Sequence, residues 1–419
     1  MPFPANIKIQ EDRLQSQIDE LSLISEQAPP IVTRILFSEA DQRGRAFVKK
    51  IAEDAGLCLR QDAVGNIFAR WMGSDAGLPA VATGSHIDAI PNAGKFDGVV
   101  GVLGAIEAIR ALRRGGINPK RSIEVIIFTA EEPTRFGIGC IGSRLLAGTL
   151  VPEKAARLKD ADEKTLDAWR KEVGWDTNDL TSVPLPKGRY SAFVELHIEQ
   201  GPILEREQLS IGIVEKIAAP STLRLDLTGS GGHAGGVLMP DRHDALLAGA
   251  EIALAVEQAA VASGSPDTVG TTGIFRIEPG AVNSVPCRAH LEIDLRDTQA
   301  GTRDAALESI ERSAQEICQR RGVTCELERV ATDPPVTCDP HLVSLISQVC
   351  SSLHLPARRM VSRAYHDSSF MAQVCPTAMI FIPCRNGWSH RPDEYASPEH
   401  IKGGVAVLAH TLAELASSP

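Results

Sequence analysis

No stretch of the chain approaches the roughly 18 consecutive apolar residues that a membrane-spanning helix needs. The start, Met1 to Glu26, is polar and charged throughout, without the apolar centre of a secretory leader. Positive charge is not in excess either. A formal net charge of −10 argues against nucleic acid or an anionic membrane surface as the main partner. It says little about a small anionic substrate, which local positive charge still holds. The nine cysteines (Cys58, Cys140, Cys287, Cys318, Cys325, Cys338, Cys350, Cys375, Cys384) show no C-x-x-C spacing, and their number is odd. They read as reduced, mostly packed thiols, and none sits in the local signature of a nucleophile. The simplest expectation is a cytoplasmic protein.

At 419 residues the chain exceeds the size at which one core stops growing, and its 43% hydrophobic and 23% charged content is that of a globular protein. Two domains are therefore expected. Apolar spacing predicts helices over 11–25 and 39–55, then two strands between Leu57 and Trp71 around a turn at Asp62 to Asn66. Leu78 to Thr83 reads as a strand, Val99 to Arg113 as a helix ending at Gly115-Gly116, and Ser122 to Ala130 as a buried strand, which makes a βαβ unit. Val151 to Gly188, charged and proline-bearing, reads as an excursion of helices and loop rather than core. The pattern changes near Gly212. Strand-like runs at 213–219, 223–228, 269–277 and 288–295, with helices at 241–263 and 302–321, predict an α+β insert with an antiparallel sheet. An α/β pattern returns with a helix near His341 to Leu353, a strand at 378–382 and a last helix from Pro398 to Ala416.

Chemistry-bearing side chains follow the predicted strands. His86 and Asp97 lie in Gly84 to Gly98, and Asp88, two residues past His86, is placed to hold the second ring nitrogen of that histidine. Glu131-Glu132-Pro133 follows the next strand. Two buried ionised carboxylates repel, and a cation beside them removes the conflict, so a metal ligand next to a general base competes here with a solvated acidic loop. His197 ends a third strand, ahead of Glu199 and Gln200. In the insert, His233 sits in Gly229 to Gly236, a glycine-rich loop that lacks the Lys-Ser/Thr of a phosphate-binding loop, while Asn283 and Arg296 are further polar candidates. Taken singly, the structural reading is the better one for these three. Ser362-Arg363-Ala364-Tyr365-His366-Asp367-Ser368 and Gly387 to Glu394, which holds His390, complete the set.

These segments, with Phe128 to Arg144 and Glu195 to Glu205, resemble over nearly the whole chain the M20-type binuclear metallohydrolases, in their amidohydrolase branch. The resemblance implies an α/β fold: a mostly parallel-sheet catalytic domain of aminopeptidase-like type, residues 1–212 and 330–419, with an inserted α+β lid and dimerisation domain over 213–329. It implies that His86 and His197 bind one divalent ion, that Asp97 bridges, and that Glu132 and His390 complete a second; Mn²⁺ or Zn²⁺ both suit the donors. Glu131 would be the general acid/base and Asp88 the orienter of His86. His233 would stabilise the oxyanion, with Gln200, Asn283, Arg296, Tyr365 and His366 on the substrate, in a homodimer formed through the insert. Within the branch, the Ser362 to Ser368 segment resembles enzymes acting on (S)-ureidoglycolate, since Arg363 and Tyr365 replace glycines where allantoate and N-carbamoyl-L-amino-acid hydrolases accommodate larger groups. The nearest competing reading is an allantoate amidohydrolase or N-carbamoyl-L-amino-acid hydrolase of the same branch; an aminopeptidase-like exopeptidase and a non-catalytic metal-binding protein on the same fold are the more distant ones.

Overall fold

Ala80–His86 is a strand in which every residue is buried, the pattern of a strand covered on both faces. It lies in the middle of a mixed sheet in the larger of two units (Met1–Glu215, Cys338–Met360 and His366–Pro419). The computed structural model describes residues 7–175 and 178–417. The sheet runs through Ile211–Ile217, Thr377–Ile382, Tyr190–Ile198, Ala80–His86, Ile123–Phe128, Ile67–Trp71 and Cys58–Gln61 in spatial order. The four strands from Thr377–Ile382 to Ile123–Phe128 pair in parallel. The flanking pairs are antiparallel, so the sheet is mixed, with its parallel part at the centre. Parallel neighbours present their carboxyl ends together, and that is where open α/β sheets hold ligands.

Helix Val99–Arg114 is buried along nearly its whole length and packs on this sheet beside helix Pro398–Ser417, which also touches the sheet. Its Glu107, fully buried, is neutralised by Arg13 and Arg114. On a second cluster the sequence-based expectation needs correction. Leu166, Trp175, Leu180 and Val183 from the supposed excursion are buried in one core with Phe128 and Phe193. The few apolar residues there have no regular period, so the charged residues around them masked the packing.

The second unit comprises Lys216–Thr337 and Val361–Tyr365. Its antiparallel sheet has the order Val269–Glu278, Arg288–Asp297, Ala219–Thr228, Thr324–Thr332. Leu223, Leu225 and Leu227 alternate with Arg224, Asp226 and Thr228, the two-residue period of a sheet with one covered face. Helices Ala245–Ala262 and Ala300–Arg321 cover that face. The fourth strand is thus Thr324–Thr332, not the expected 213–219 run, most of which belongs to Ile211–Ile217 of the mixed sheet. Cys325 and Leu327 are its apolar contribution to the core, too few to stand out among Glu326, Glu328 and Arg329.

Helix Val99–Arg114 approaches the strands so closely at Gly101 that an added Cβ would lie 2.4 Å from the Leu196 carbonyl oxygen and 2.6 Å from Ser85 Cβ. Gly101→Ala is expected to destabilise the protein by about 1–3 kcal/mol through overpacking, read as a lower urea midpoint; an unchanged midpoint contradicts this packing.

Candidate metal centre

Four strands deliver one cluster. His86 ends Ala80–His86, His197 is the penultimate residue of Tyr190–Ile198, Glu131 and Glu132 follow Ile123–Phe128, and His390 lies in the loop after Thr377–Ile382. Asp97 lies two residues before helix Val99–Arg114, which starts its return across the sheet. Asp97 is the hub. Its Oδ1 is 3.5 Å from His86 Nε2 and 3.2 Å from His197 Nε2. Its Oδ2 is 3.4 Å from His390 Nε2, which is also 3.2 Å from Glu132 Oε1. Among the described residues three groups could hold a cation, each with its donor atoms within 4.8 Å of one another: His86/Asp97/His197 and Asp97/Glu132/His390, which share Asp97, and Glu195/His197/His366.

The imidazoles are held from behind. His86 Nδ1 is 3.1 Å from the Asp88 main-chain oxygen and His197 Nδ1 is 2.9 Å from that of Ile198. With Nδ1–H donating, both rings turn Nε2 into the cluster, as the atom available to a proton or a cation. Asp88 thus meets His86 Nδ1 through its carbonyl; its carboxylate lies 3.7 Å away. That carboxylate accepts the main-chain N–H groups of Glu131 (3.3 Å) and Glu132 (3.0 Å) instead, fixing both acidic residues. Only glycine fits at position 98, where a Cβ would fall 2.5 Å from His86 Nε2 and fill the space in front of the donor atom. His390 and Gln200 both take left-handed backbone angles, with φ of 60° and 53°, a strain of about 1–3 kcal/mol each that the surroundings must impose.

Charge is concentrated in little solvent. Burial raises the Glu131 carboxyl well above its usual range, with Glu132, Asp367 and Asp97 adding to the shift and His86 opposing it. Burial acts the same way on Asp97, but hydrogen bonds with His197, His390 and His86 outweigh it and hold that carboxyl well below its usual range. Asp97 and Glu132 in turn raise His390 to about 11. Imidazoles and carboxylates balanced this tightly are the donor set that a divalent cation takes over, exchanging protons for metal. Glu131 Oε2, 3.7 Å from His86 Nε2, borders the first group without closing any of the three.

The remaining candidates divide between the units. Gln200 donates from Nε2 to Asp97 Oδ2 at 2.6 Å, so its amide supports the hub. His366 is buried, its ring 4.6 Å from that of His197. Tyr365, His233, Asn283 and Arg296 belong to the second unit. There His233 and Asn283 sit on one exposed tongue, in which His233 pairs with Ser284 and Ala234 N–H donates to the Asn283 main-chain carbonyl at 2.8 Å. Gly235 N–H donates to His233 Nδ1 at 3.2 Å, which leaves Nε2–H as the donor of the neutral ring. Arg296 is forked by Asp294, with Nε and Nη2 at 2.7 and 3.0 Å. Two residues carry no sequence-based assignment: Ser389, whose hydroxyl meets Asp97 Oδ2, and the buried Glu394, whose Oε1 accepts the Phe96 and Asp97 amides. Their place beside His390 was the available signal.

Comparison with known proteins gives a match of residues 82–414 to the model of Peptidase family M20/M25/M40. A ureidoglycolate hydrolase of Oryza sativa subsp. japonica is 53% identical over 413 residues, 97% of this chain and 85% of that protein. An N-carbamoyl-L-amino acid amidohydrolase of Geobacillus stearothermophilus is 36% identical over 97% of this chain and 99% of its own length. A crystal structure of AtUAH in complex with glyoxylate superposes with a TM-score of 0.92 at 51% identity, covering 99% of each chain.

Because the Asp88 carboxylate secures both glutamate amides, Asp88→Ala is expected to lower turnover by about 10–100-fold while the circular dichroism spectrum stays that of wild type. Wild-type turnover would show that the Glu131-Glu132 turn holds itself.

Proposed function

The chain belongs to Peptidase family M20/M25/M40, and from that membership we propose that it is a metal-dependent amidohydrolase that cleaves the ureido group of (S)-ureidoglycolate. Water adds to the ureido carbonyl, the bond from that carbon to the nitrogen on the α-carbon breaks, and the carbamate released decomposes to ammonia and CO₂. The α-hydroxyamine that remains collapses to glyoxylate with loss of a second ammonia, a step of purine-ring breakdown. The observation that carries the reading is full-length likeness to ureidoglycolate hydrolases combined with an intact cluster around Asp97.

His86 and His197 would hold one divalent ion and Glu132 and His390 a second, with Asp97 shared; Mn²⁺ is preferred and Zn²⁺ suits the same donors. Such ions polarise the carbonyl and make a water acidic near neutral pH. Glu131 takes the proton of the attacking water and delivers it to the departing nitrogen, a role that its raised pKa suits. The Nε2–H of His233 meets the developing oxyanion, with Asn283 beside it. Arg296 grips the substrate carboxylate, and Gln200, Tyr365 and His366 line the substrate. The substrate is small and anionic, as the resemblance implies, and the reading includes neither nucleic acid nor membrane as a partner.

The insert, residues 213–329 in the sequence-based division, serves as lid and dimerisation domain in this reading. Leu247, Leu254 and Val261 form an exposed apolar stripe on helix Ala245–Ala262, next to the sheet's edge strand Val269–Glu278, where Phe275 and Ile277 are also exposed. An unpaired edge beside an apolar stripe suits a two-fold contact with a second copy of the chain. Although this helix is long and apolar enough to cross a membrane, its Glu251 pairs with Arg320 and Arg321, which ties it to the helix beside it. The proposed form is a homodimer in the cytoplasm.

In a panel of ureidoglycolate, allantoate and N-carbamoyl amino acids, ammonia release is expected to be fastest from ureidoglycolate, to stop on chelation and to return with Mn²⁺. Glu131→Ala is expected to cost about 10²–10⁴-fold in kcat with metal content unchanged; faster turnover of another substrate, or an active variant, contradicts the reading. Val261→Glu should yield a monomer by light scattering, whereas a persistent dimer would place the interface elsewhere.

A further inference from the structure

Resting on the metal centre proposed above, we infer that Glu394, acting with Ser389, is the positioning residue that aims the Asp97 carboxylate between the two imidazole groups. Glu394 is buried, and no lysine or arginine pairs with it among the described residues. A buried carboxylate without a cation is costly unless hydrogen bonds hold it. Here they all lead to Asp97. Glu394 Oε1 accepts two successive main-chain N–H groups, Phe96 at 2.7 Å and Asp97 at 3.1 Å, from a segment 297 residues away in sequence from the second of them. Glu394 Oε2 lies 2.9 Å from Ser389 Oγ, and the same hydroxyl contacts Asp97 Oδ2. Backbone and side chain of Asp97 are thereby fixed from one source.

Packing reinforces the link. The Phe96 and Tyr395 rings meet edge to face with centroids 6.0 Å apart. A Cβ at Gly94 would fall 2.3 Å from Glu394 Cβ, so the loop ahead of Asp97 lies flat against the Glu394 stem. Asp97 precedes a helix whose first residues are pinned to the sheet, and Glu394 secures the side of the loop that the helix leaves unsupported. A carboxylate that must face two ligand groups at once tolerates little rotation, and this clamp removes that freedom before any ion arrives.

The test is chelator-competition titration of the metal-free full-length protein with Mn²⁺ alone and Zn²⁺ alone, for wild type, Glu394→Ala, Glu394→Gln and Ser389→Ala, with thermal unfolding of each metal-free protein alongside. Glu394→Ala is expected to weaken metal binding by about 10–100-fold. Glu394→Gln is expected to recover most of that loss, because its amide oxygen still accepts both N–H groups while its amide nitrogen donates to Ser389 Oγ, freeing the hydroxyl hydrogen for Asp97. Ser389→Ala is expected to weaken binding by a smaller factor. Wild-type affinity in Glu394→Ala, or equal loss in the alanine and glutamine variants, overturns the positioning role. Should Glu394→Ala not fold, wild-type affinity in Ser389→Ala overturns it instead. A wild-type protein that binds neither ion overturns the metal centre itself, a result read without any variant.

Discussion

One carboxylate sets the terms for the rest of this molecule. Asp97 turns one oxygen to His86 and His197 and the other to His390, with Glu132 beside the second group. Like charges crowded into a poorly solvated space destabilise each other, and only cations or protons relieve them. The imidazoles supply that relief in the protein alone, and divalent ions would supply it more completely, since each accepts several donors at once. The cost of gathering these groups explains why so much surrounding structure is devoted to holding them: two rings backed by main-chain carbonyls, two glutamate amides tied to Asp88, and a loop clamped by Glu394.

The sheet makes the gathering possible. Parallel pairing aligns the carboxyl ends of Ala80–His86, Tyr190–Ile198 and Ile123–Phe128, so residues far apart in sequence emerge side by side. Left-handed backbone occurs elsewhere too, at Glu163 and His354 among others, but Ala130, Gln200 and His390 take it beside these strand ends. Strain of that kind persists where surrounding contacts over-determine a conformation, and here the contacts belong to the centre. The second unit follows a different economy. Its sheet buries one face and leaves the other polar, the face on which Asp294 forks Arg296.

Much of this was legible in the sequence because the chemistry sits where the chain is punctuated. His86, Glu131-Glu132, His197 and His390 each follow an apolar run and lie among glycine and proline, so strand ends and site residues announce one another. What stayed hidden has physical causes. The work of Asp88 is divided between its carbonyl and its carboxylate, and spacing alone does not distinguish the two. The core role of Leu166 and Trp175 depends on contacts with distant strands, not on local period. The 324–332 strand carries Glu326, Glu328 and Arg329, with Glu328 and Arg329 adjacent, so no clean apolar alternation marks it. Glu394 lies in a run of charged residues that looks solvated, yet its partners lie near residue 97, beyond the reach of any local pattern.

The account stands on the shared carboxylate, and anomalous diffraction from a crystal of the manganese-loaded protein, measured on both sides of the manganese absorption edge, tests that most directly. It predicts two peaks about 3.5–4 Å apart, one toward His86 and His197 and one toward Glu132 and His390, with the Asp97 carboxylate between them. A single peak, or two peaks with Asp97 touching only one, would contradict it.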